Sequence, residues 1–132
     1  DELVCANPDD FGLCTLFRAY PAGINADRQF ERELTDPSSR EELIRHNALT
    51  RAIGDKMWEW FRAGQLVNGL HTPYISFSTG FRVTEYNRDA RDSEAVVFAL
   101  KVFPMNVHCQ PKIMRHVLEC VLAARDAVMR ES

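Results

Sequence analysis

The chain has 132 residues, of which 45% are hydrophobic and 27% are charged, so we expect a single globular domain spanning residues 1–132 and not a disordered tail. Lys and Arg total 16 against 19 Asp and Glu, a formal net charge of −3, which gives no support for a nucleic-acid partner held by phosphate contacts. The longest apolar runs, such as residues 95–100, fall short of the roughly 20 residues that cross a bilayer, so no membrane partner is expected.

The first 37 residues are predicted to be loop with one short strand. The segment up to Leu13 is rich in turn-forming residues and is predicted to be loop. Residues 14–20 favour a strand, which ends at the turn signal Pro-Ala-Gly of residues 21–23. Residues 24–37 are polar and include Pro37, so we expect a loop with about one helical turn.

A long helix is predicted to follow. Ser38 or Ser39 would cap its N-terminus, with Glu41 or Glu42 completing a capping box, and Gly64 would end it. Its apolar residues recur at spacings of three and four and predict one buried stripe: Leu43, Leu49, Ile53, Met57, Trp60 and Phe61. Trp58 and Trp60 point to different faces, so one is expected in the core and the other beside a groove.

Two strands and two helices are predicted for the remainder. Residues 74–77 favour a strand, and residues 81–91 a helix capped by Ser78 or Thr79. Residues 95–103 form the clearest strand, whose apolar character predicts burial on both faces. Pro111 opens the last helix, with a predicted buried stripe and with Lys112, Arg115, Arg125 and Arg130 outside. Its stripe is Ile113, Val117, Val121, Ala124 and Val128. The sum is a mixed α and β fold.

Three groups of residues could carry chemistry. Arg18, at the end of the first predicted strand, could hold a phosphate or carboxylate in a fork of hydrogen bonds, or pair with a surface acid. Ser76 and Ser78 share one strand face and could donate to a polar ligand, or lie on an edge strand before a helix cap. Three later carboxylates could reach a cleft or be solvated: Glu85, Glu94 and Glu119.

The cysteines and histidines give no metal signal. Four cysteines without a C-x-x-C pair are compatible with two disulfides in a secreted protein, including a local pair of Cys5 and Cys14, or with four reduced thiols. Four histidines show no H-E-x-x-H pattern, so no metal is expected. A P-loop or dinucleotide fingerprint is also missing from the sequence.

Taken in order, three segments resemble the ADP-ribosyltransferases of the Arg–Ser–Glu kind, which include the cholera-type toxins. Residues 16–19 (Leu-Phe-Arg-Ala) are similar to the family's L-[FY]-R-A strand, and residues 74–78 (Tyr-Ile-Ser-Phe-Ser) to its [YF]-[IV]-S-T-S strand. Val96–Val102, followed by Phe-Pro-Met-Asn-Val at residues 103–107, is similar to a further strand and its Pro-Asn turn. Residues 71–76 also resemble a segment of a fungal domain of unknown function with the same predicted fold.

The resemblance implies an α+β fold with a split sheet flanked by helices, and NAD as a substrate. It implies that Arg18 binds an NAD phosphate and supports the framework, while backbone groups near Ala19 hold the nicotinamide amide. Ser76 would orient the nicotinamide ribose, and Ser78 belongs to the same hydroxyl motif, whose middle residue here is Phe77 instead of Thr. The family's glutamate would stabilise the ribosyl cation.

The catalytic acid and the biological setting are left with alternatives. No E-x-E or Q-x-E stands where the family has its glutamate; Glu119 is the nearest candidate by position and Glu94 the alternative. The resemblance therefore implies an NAD-consuming mono-ADP-ribosyltransferase or NAD glycohydrolase, as a secreted effector or toxin with a protein target. The alternatives are a catalytically inactive binding module, acting through an exposed patch around Trp58, Phe81 or Met105, and a cytoplasmic location. A host partner is compatible with both functions, and no oligomeric state is predicted.

Overall fold

The computed structural model describes residues 2–6, 15–102 and 111–131. Within these residues the chain forms three helices and six strands. The helices are α1 (Ala26–Thr35), α2 (Arg40–Ala63) and α3 (Pro111–Glu131). The strands are β1 (Leu3–Cys5), β2 (Thr15–Ala19), β3 (Leu66–Val67), β4 (Leu70–His71), β5 (Ser76–Val83) and β6 (Val96–Val102). None of the helices in the described residues is long and apolar enough to cross a membrane.

Four of the strands form one antiparallel sheet in the order β1-β2-β6-β5, and β3 and β4 form a separate hairpin. Phe17 of β2 lies opposite Leu100 of β6, and Phe77 of β5 lies opposite the same Leu100 from the other side. The prediction of a mixed α and β fold is confirmed, and the sheet is small and antiparallel.

Alternating residues of the central strands enter two apolar clusters, as expected for a sheet covered on both faces. One cluster joins the sheet to α1 and the first turn of α2: Leu16, Tyr20, Val97, Ala99, Phe30, Leu34 and Leu43. The other joins it to the rest of α2 and to α3: Phe17, Ala19, Leu100, Leu49, Ile53, Met57, Val117 and Val121. Helix α2 therefore contributes to both clusters.

Strands β2 and β6 pair over only part of their length, and α2 crosses the sheet where their pairing ends. The two strands pair only from Thr15↔Val102 to Phe17↔Leu100. Beyond that point, the Asn47 side chain bonds with β6: its Nδ2 donates to the Val96 carbonyl at 2.6 Å, and its Oδ1 accepts from the Phe98 N–H at 3.0 Å. An amide side chain thus satisfies backbone groups that would otherwise lack a strand partner.

Several sequence predictions are confirmed by the structure. The strand at 14–20 is present as β2, the strand at 95–103 as β6, and the last helix begins at Pro111. Gly64 ends α2 in the left-handed conformation, with φ of 68°, which glycine adopts without a steric penalty. Trp58 and Trp60 do face differently, since Trp58 is exposed and Trp60 is half-buried against the second cluster.

Other predictions are wrong. The loop at 24–37 is mostly the helix α1, which is capped by Asn25 and turns Gln29 and Glu33 inward. The start of the chain is not all loop, because β1 pairs with β2. The helix predicted for 81–91 is absent, since β5 resumes pairing with β6 at Arg82 and only one 3₁₀ turn follows.

Two predictions about burial are also wrong. Phe61 is 47% exposed and not in the buried stripe of α2. Arg125 is buried at 5% exposure, because it donates to Glu2 Oε1 at 2.6 Å and to the Tyr20 carbonyl at 3.0 Å. Hydrogen bonds from the Gly23 N–H and from Arg125 lower the pKa of Glu2. The Arg125 contact ties α3 to the residue that precedes β1.

The disulfide prediction stays a prediction. Cys120 is buried in the second cluster, and burial raises the pKa of its thiol. Cys5 is exposed. Cys14 and Cys109 lie outside the described residues, as do Met105 and the Pro-Asn turn of the resemblance.

Candidate functional site

A cavity of about 320 Å³ lies between the second half of α2 and the start of β5. Asp55 and Trp58 of α2 line it on one side, and Tyr74 and Ser76 line it on the other. Its volume falls in the range of roughly 300–1,000 Å³ that small-molecule sites occupy. Here Ser76, a predicted cofactor-binding residue, shares a cavity with a carboxylate.

The missing side chain at Gly54 allows α2 to approach β5 beside this cavity. A Cβ atom on Gly54 would lie 2.8 Å from Cδ1 of the Phe77 ring. Phe77 is held in the sheet opposite Leu100 and packs against the second cluster. A glycine is therefore required at this level of α2 for the helix and strand to lie so close.

Three exposed aromatic side chains, Trp58, Phe61 and Tyr74, form an aromatic cluster at the mouth of the cavity. Trp58 stacks on Phe61 with ring centroids 5.8 Å apart, and Tyr74 meets Trp58 edge-on at 5.1 Å. The three are 44%, 47% and 55% exposed. Flat apolar surfaces left in water beside a cavity are typical of sites that bind a ring or a partner.

Two cations border the same region. The Arg62 guanidinium lies 5.9 Å from the Trp58 ring centroid, and Arg51 lies at the same distance from the Phe77 ring. Both are exposed, and neither forms an ion pair with a described carboxylate. They are therefore available to an anionic ligand.

Ser76 and Ser78 lie on the same face of β5, opposite Lys101 and Ala99 of β6. Ser76 lines the cavity, whereas Ser78 does not. Neither hydroxyl is hydrogen-bonded to another described side chain or carbonyl. The Ser76 hydroxyl can therefore both donate to and accept from a ligand.

Arg18 does not line this cavity. Its side chain is fully buried: Nε donates to the Tyr20 hydroxyl, Nη2 donates to Glu33 Oε1 at 2.8 Å, and Nη1 donates to Asn47 Oδ1 and the Phe98 carbonyl. Four of its five N–H groups thus serve internal contacts. The geometry gives Arg18 a framework role, because its side chain bonds with β6 where β2 and β6 no longer pair. Ala19, beside it, is 1% exposed and pairs with Leu3.

A buried network extends from Arg18 through the Glu33 carboxylate. Tyr20 donates to Glu33 Oε1 at 3.2 Å, Gln29 donates to Oε2 at 2.8 Å, and His46 Nδ1 lies 2.7 Å from Oε2. Burial raises the pKa of Tyr20, so its hydroxyl keeps the proton that it donates. Four donors around one carboxylate compensate for its desolvation.

The two acids predicted to be catalytic lie at other places in the fold. Glu94 lies two residues before β6 and accepts a hydrogen bond from Arg40 at 3.0 Å. Glu119 on α3 accepts from Asn68 of the hairpin turn at 2.9 Å. Neither lines the cavity that holds Ser76. Among the described residues, no group of three His, Cys, Asp or Glu side chains is placed to hold a metal ion.

Sequence reasoning missed Asp55, the carboxylate in the Ser76 cavity. Asp55 stands one turn before Trp58 and Glu59 on an exposed helix face, and such a charge is usually solvated. The only local signal is Gly54, whose occurrence in the middle of a helix costs about 1 kcal/mol and so indicates a packing requirement.

We expect Gly54→Val to lower the free energy of unfolding by about 1–3 kcal/mol, because its side chain would overlap the Phe77 ring. Gly80→Val is the matched control, since a Cβ at Gly80 meets no atom within 4 Å. Urea denaturation of both variants checks the result. The double variant with Phe77→Leu should recover part of the loss; equal stability of the two single variants would contradict the close approach.

Comparison of the chain with protein-family models, with curated proteins and with solved structures finds no match.

Proposed function

We propose that this chain has the ADP-ribosyltransferase-like fold and consumes NAD, as a mono-ADP-ribosyltransferase or an NAD glycohydrolase. The observation that carries the proposal is that Ser76, the hydroxyl singled out by the resemblance, lines one cavity together with Asp55. Asp55 takes the role for which Glu119 and Glu94 were the predicted candidates. The partial pairing of β2 and β6 accords with the split sheet that the resemblance implies.

The side chains around the cavity fit the parts of NAD by their chemistry. Trp58 and Tyr74 offer ring surfaces to a flat heteroaromatic group. Ser76 and Asp55 offer a hydroxyl and carboxylate oxygens to ribose hydroxyls. Arg51 and Arg62 provide the positive charge that a diphosphate needs. Arg18 does not take this role, because its side chain is fully buried.

The reaction requires that the bond between the ribose and nicotinamide breaks and that positive charge on the ribose is stabilised. The negatively charged Asp55 carboxylate stabilises the positive charge that develops on the ribose. Ser76 orients the ribose by hydrogen bonding. Attack on the ribose by water gives hydrolysis, and attack by a nucleophilic side chain of a target protein gives ADP-ribosylation; the proton of the attacking group is released.

Nicotinamide release from NAD by the purified protein tests this function. We expect release by the wild type and at least a tenfold loss in Asp55→Asn and in Ser76→Ala, since each removes a group that acts on the ribose. Glu119→Gln and Glu94→Gln are the matched controls and should retain activity. Loss in Glu119→Gln with full activity in Asp55→Asn would overturn the assignment of Asp55.

A catalytically inactive binding module is the second candidate. The exposed aromatic cluster favours it, because an apolar patch of three rings commonly marks a contact surface. This function is supported if NAD gives neither nicotinamide release nor a rise in Tm. In that case a protein partner bound through the cluster would protect Trp58 from fluorescence quenching by iodide. Added NAD, which does not bind to such a module, would leave the quenching unchanged.

A further inference from the structure

A second cavity, of about 400 Å³, lies on the other side of α2 against the end of α3. Its lining is almost wholly apolar and includes Leu49, Ala52, Val128 and Met129. The buried polar side chain in this lining is His46, which is 3% exposed. This cavity shares no lining residue with the cavity at Ser76.

The buried network fixes the orientation of the His46 ring. Its Nδ1 lies 2.7 Å from Glu33 Oε2, and Tyr20 meets the ring edge-on with centroids 4.9 Å apart. Glu33 also receives hydrogen bonds from Arg18, Tyr20 and Gln29, so its carboxylate acts as the acceptor in this network. In the contact with Glu33 the proton therefore lies on His46 Nδ1, and in the neutral form of the ring Nε2 is a hydrogen-bond acceptor.

No described residue donates to His46 Nε2. Every side-chain nitrogen or oxygen that is fully buried among the described residues has a hydrogen-bond partner. Nε2 therefore keeps access to the space outside the network, and the cavity is the space that His46 lines. An acceptor held in a fixed tautomer at an apolar cavity calls for a donor that arrives with a ligand.

We propose that this second cavity binds a small apolar molecule carrying one hydroxyl or N–H donor, such as a phenol or an indole. The apolar walls take the body of the ligand, and its donor bonds with His46 Nε2. The volume is sufficient for a single ring, since it falls within the range for small ligands. Arg45 at the rim makes an anionic ligand the alternative that the test must separate.

Binding is measured by titrating the ¹⁵N-labelled 132-residue chain at pH 8 with p-cresol, toluene and benzoate, following amide shifts in residues 45–52. We expect p-cresol to bind at least tenfold more tightly than toluene, which has the same apolar body without the hydroxyl. p-Cresol should also bind more tightly than benzoate, whose carboxylate offers only hydrogen-bond acceptors at this pH. Tighter binding of benzoate, equal binding of toluene, or no shift with p-cresol would each overturn the proposal.

A second variant keeps the result independent of the buried network. His46→Gln tests the acceptor directly but disturbs Glu33, so Ala52→Phe is added to fill the cavity without touching that network. We expect Ala52→Phe to abolish p-cresol binding, and Ala63→Phe, at an exposed position of the same helix, to leave it unchanged. Unchanged binding in Ala52→Phe would place p-cresol elsewhere. Asp55→Asn should not affect p-cresol binding, so this proposal and the NAD proposal fail separately.

Discussion

Replacing Arg18 by methionine should lower the free energy of unfolding by about 3–5 kcal/mol, the range found when one partner of a buried ion pair is removed. Arg18 and Glu33 are both fully buried, and Nη2 lies 2.8 Å from Oε1. Methionine retains most of the apolar volume, so the loss comes from the charge and the hydrogen bonds. Glu33 would remain buried without its cation, while the Phe98 carbonyl would lose a donor.

Urea denaturation of Arg18→Met measures the effect, with Arg91→Met as the control. Arg91 pairs with Asp89 at the surface, where both side chains are largely exposed, so its loss should cost less than about 1 kcal/mol. The double variant Arg18→Met with Glu33→Gln should be more stable than the sum of the two single effects predicts. A loss below about 1 kcal/mol in Arg18→Met would contradict the buried pair.

The contacts of Arg18 also bear on the proposed function. The resemblance implies that Arg18 holds an NAD phosphate, whereas the structure gives its N–H groups to Tyr20, Glu33, Asn47 and a β6 carbonyl. An Arg18 variant that has lost both nicotinamide release and folded structure says nothing about phosphate binding. Nicotinamide release has to be compared between the wild type and a variant whose melting curve shows that it is folded. Arg51→Gln and Arg62→Gln are the sharper tests of diphosphate binding, because their guanidinium groups lie 5.9 Å from the Phe77 and Trp58 rings that line the cavity and outside the buried network.

The central elements could be predicted from the sequence because their signals are local. The apolar run of β6, the spacing of Leu43, Leu49, Ile53 and Met57, and Gly64 after α2 each depend on neighbours a few residues away. The helix α1 could not be predicted in this way. Its inward face includes the polar residues Gln29 and Glu33 between apolar ones. Glu33 is buried because Arg18 and His46 meet it from other elements, and Gln29 in turn donates to Glu33.

The candidate sites were less predictable for the same physical reason. Ser76 could be singled out by resemblance, but Asp55 is 21 positions earlier in the chain and lines the same cavity only because α2 packs on β5. His46 has no motif around it; its fixed tautomer depends on Glu33, 13 positions away. Charged residues that pair across different elements do not recur at a regular spacing in the sequence. Hydropathy patterns therefore do not reveal these pairs.

The second large effect is expected at Asn47, where leucine should lower the free energy of unfolding by at least about 2 kcal/mol. Leucine resembles asparagine in size but can neither donate to the Val96 carbonyl nor accept from the Phe98 N–H. Each partly buried backbone group left without a partner costs about 1–3 kcal/mol. Arg18 also loses an acceptor at 2.8 Å. Helix propensity is not the cause, since leucine forms helices better than asparagine.

Hydrogen exchange distinguishes this local mechanism from a general loss of stability. In Asn47→Leu the Phe98 amide should exchange faster than other β6 amides, relative to the wild type. Gln65→Leu is the control, because the exposed Gln65 amide makes one long hydrogen bond of 3.3 Å with Leu66, and we expect a change within about 0.5 kcal/mol. An unchanged Phe98 amide in a stable Asn47→Leu protein would mean that β2, not α2, supplies its partner.

The effect at Asn47 should extend to both candidate sites, because one helix positions them. His46 is the residue before Asn47, and Asp55 lies about two turns further along α2. The bonds between Asn47 and β6 fix the position at which α2 crosses the sheet. A folded Asn47→Leu protein should therefore show weaker p-cresol binding and slower nicotinamide release together, although Asn47 lines neither cavity. Loss of one without the other would mean that the two ends of α2 are positioned independently, by Glu33 at one end and by Phe77 at the other.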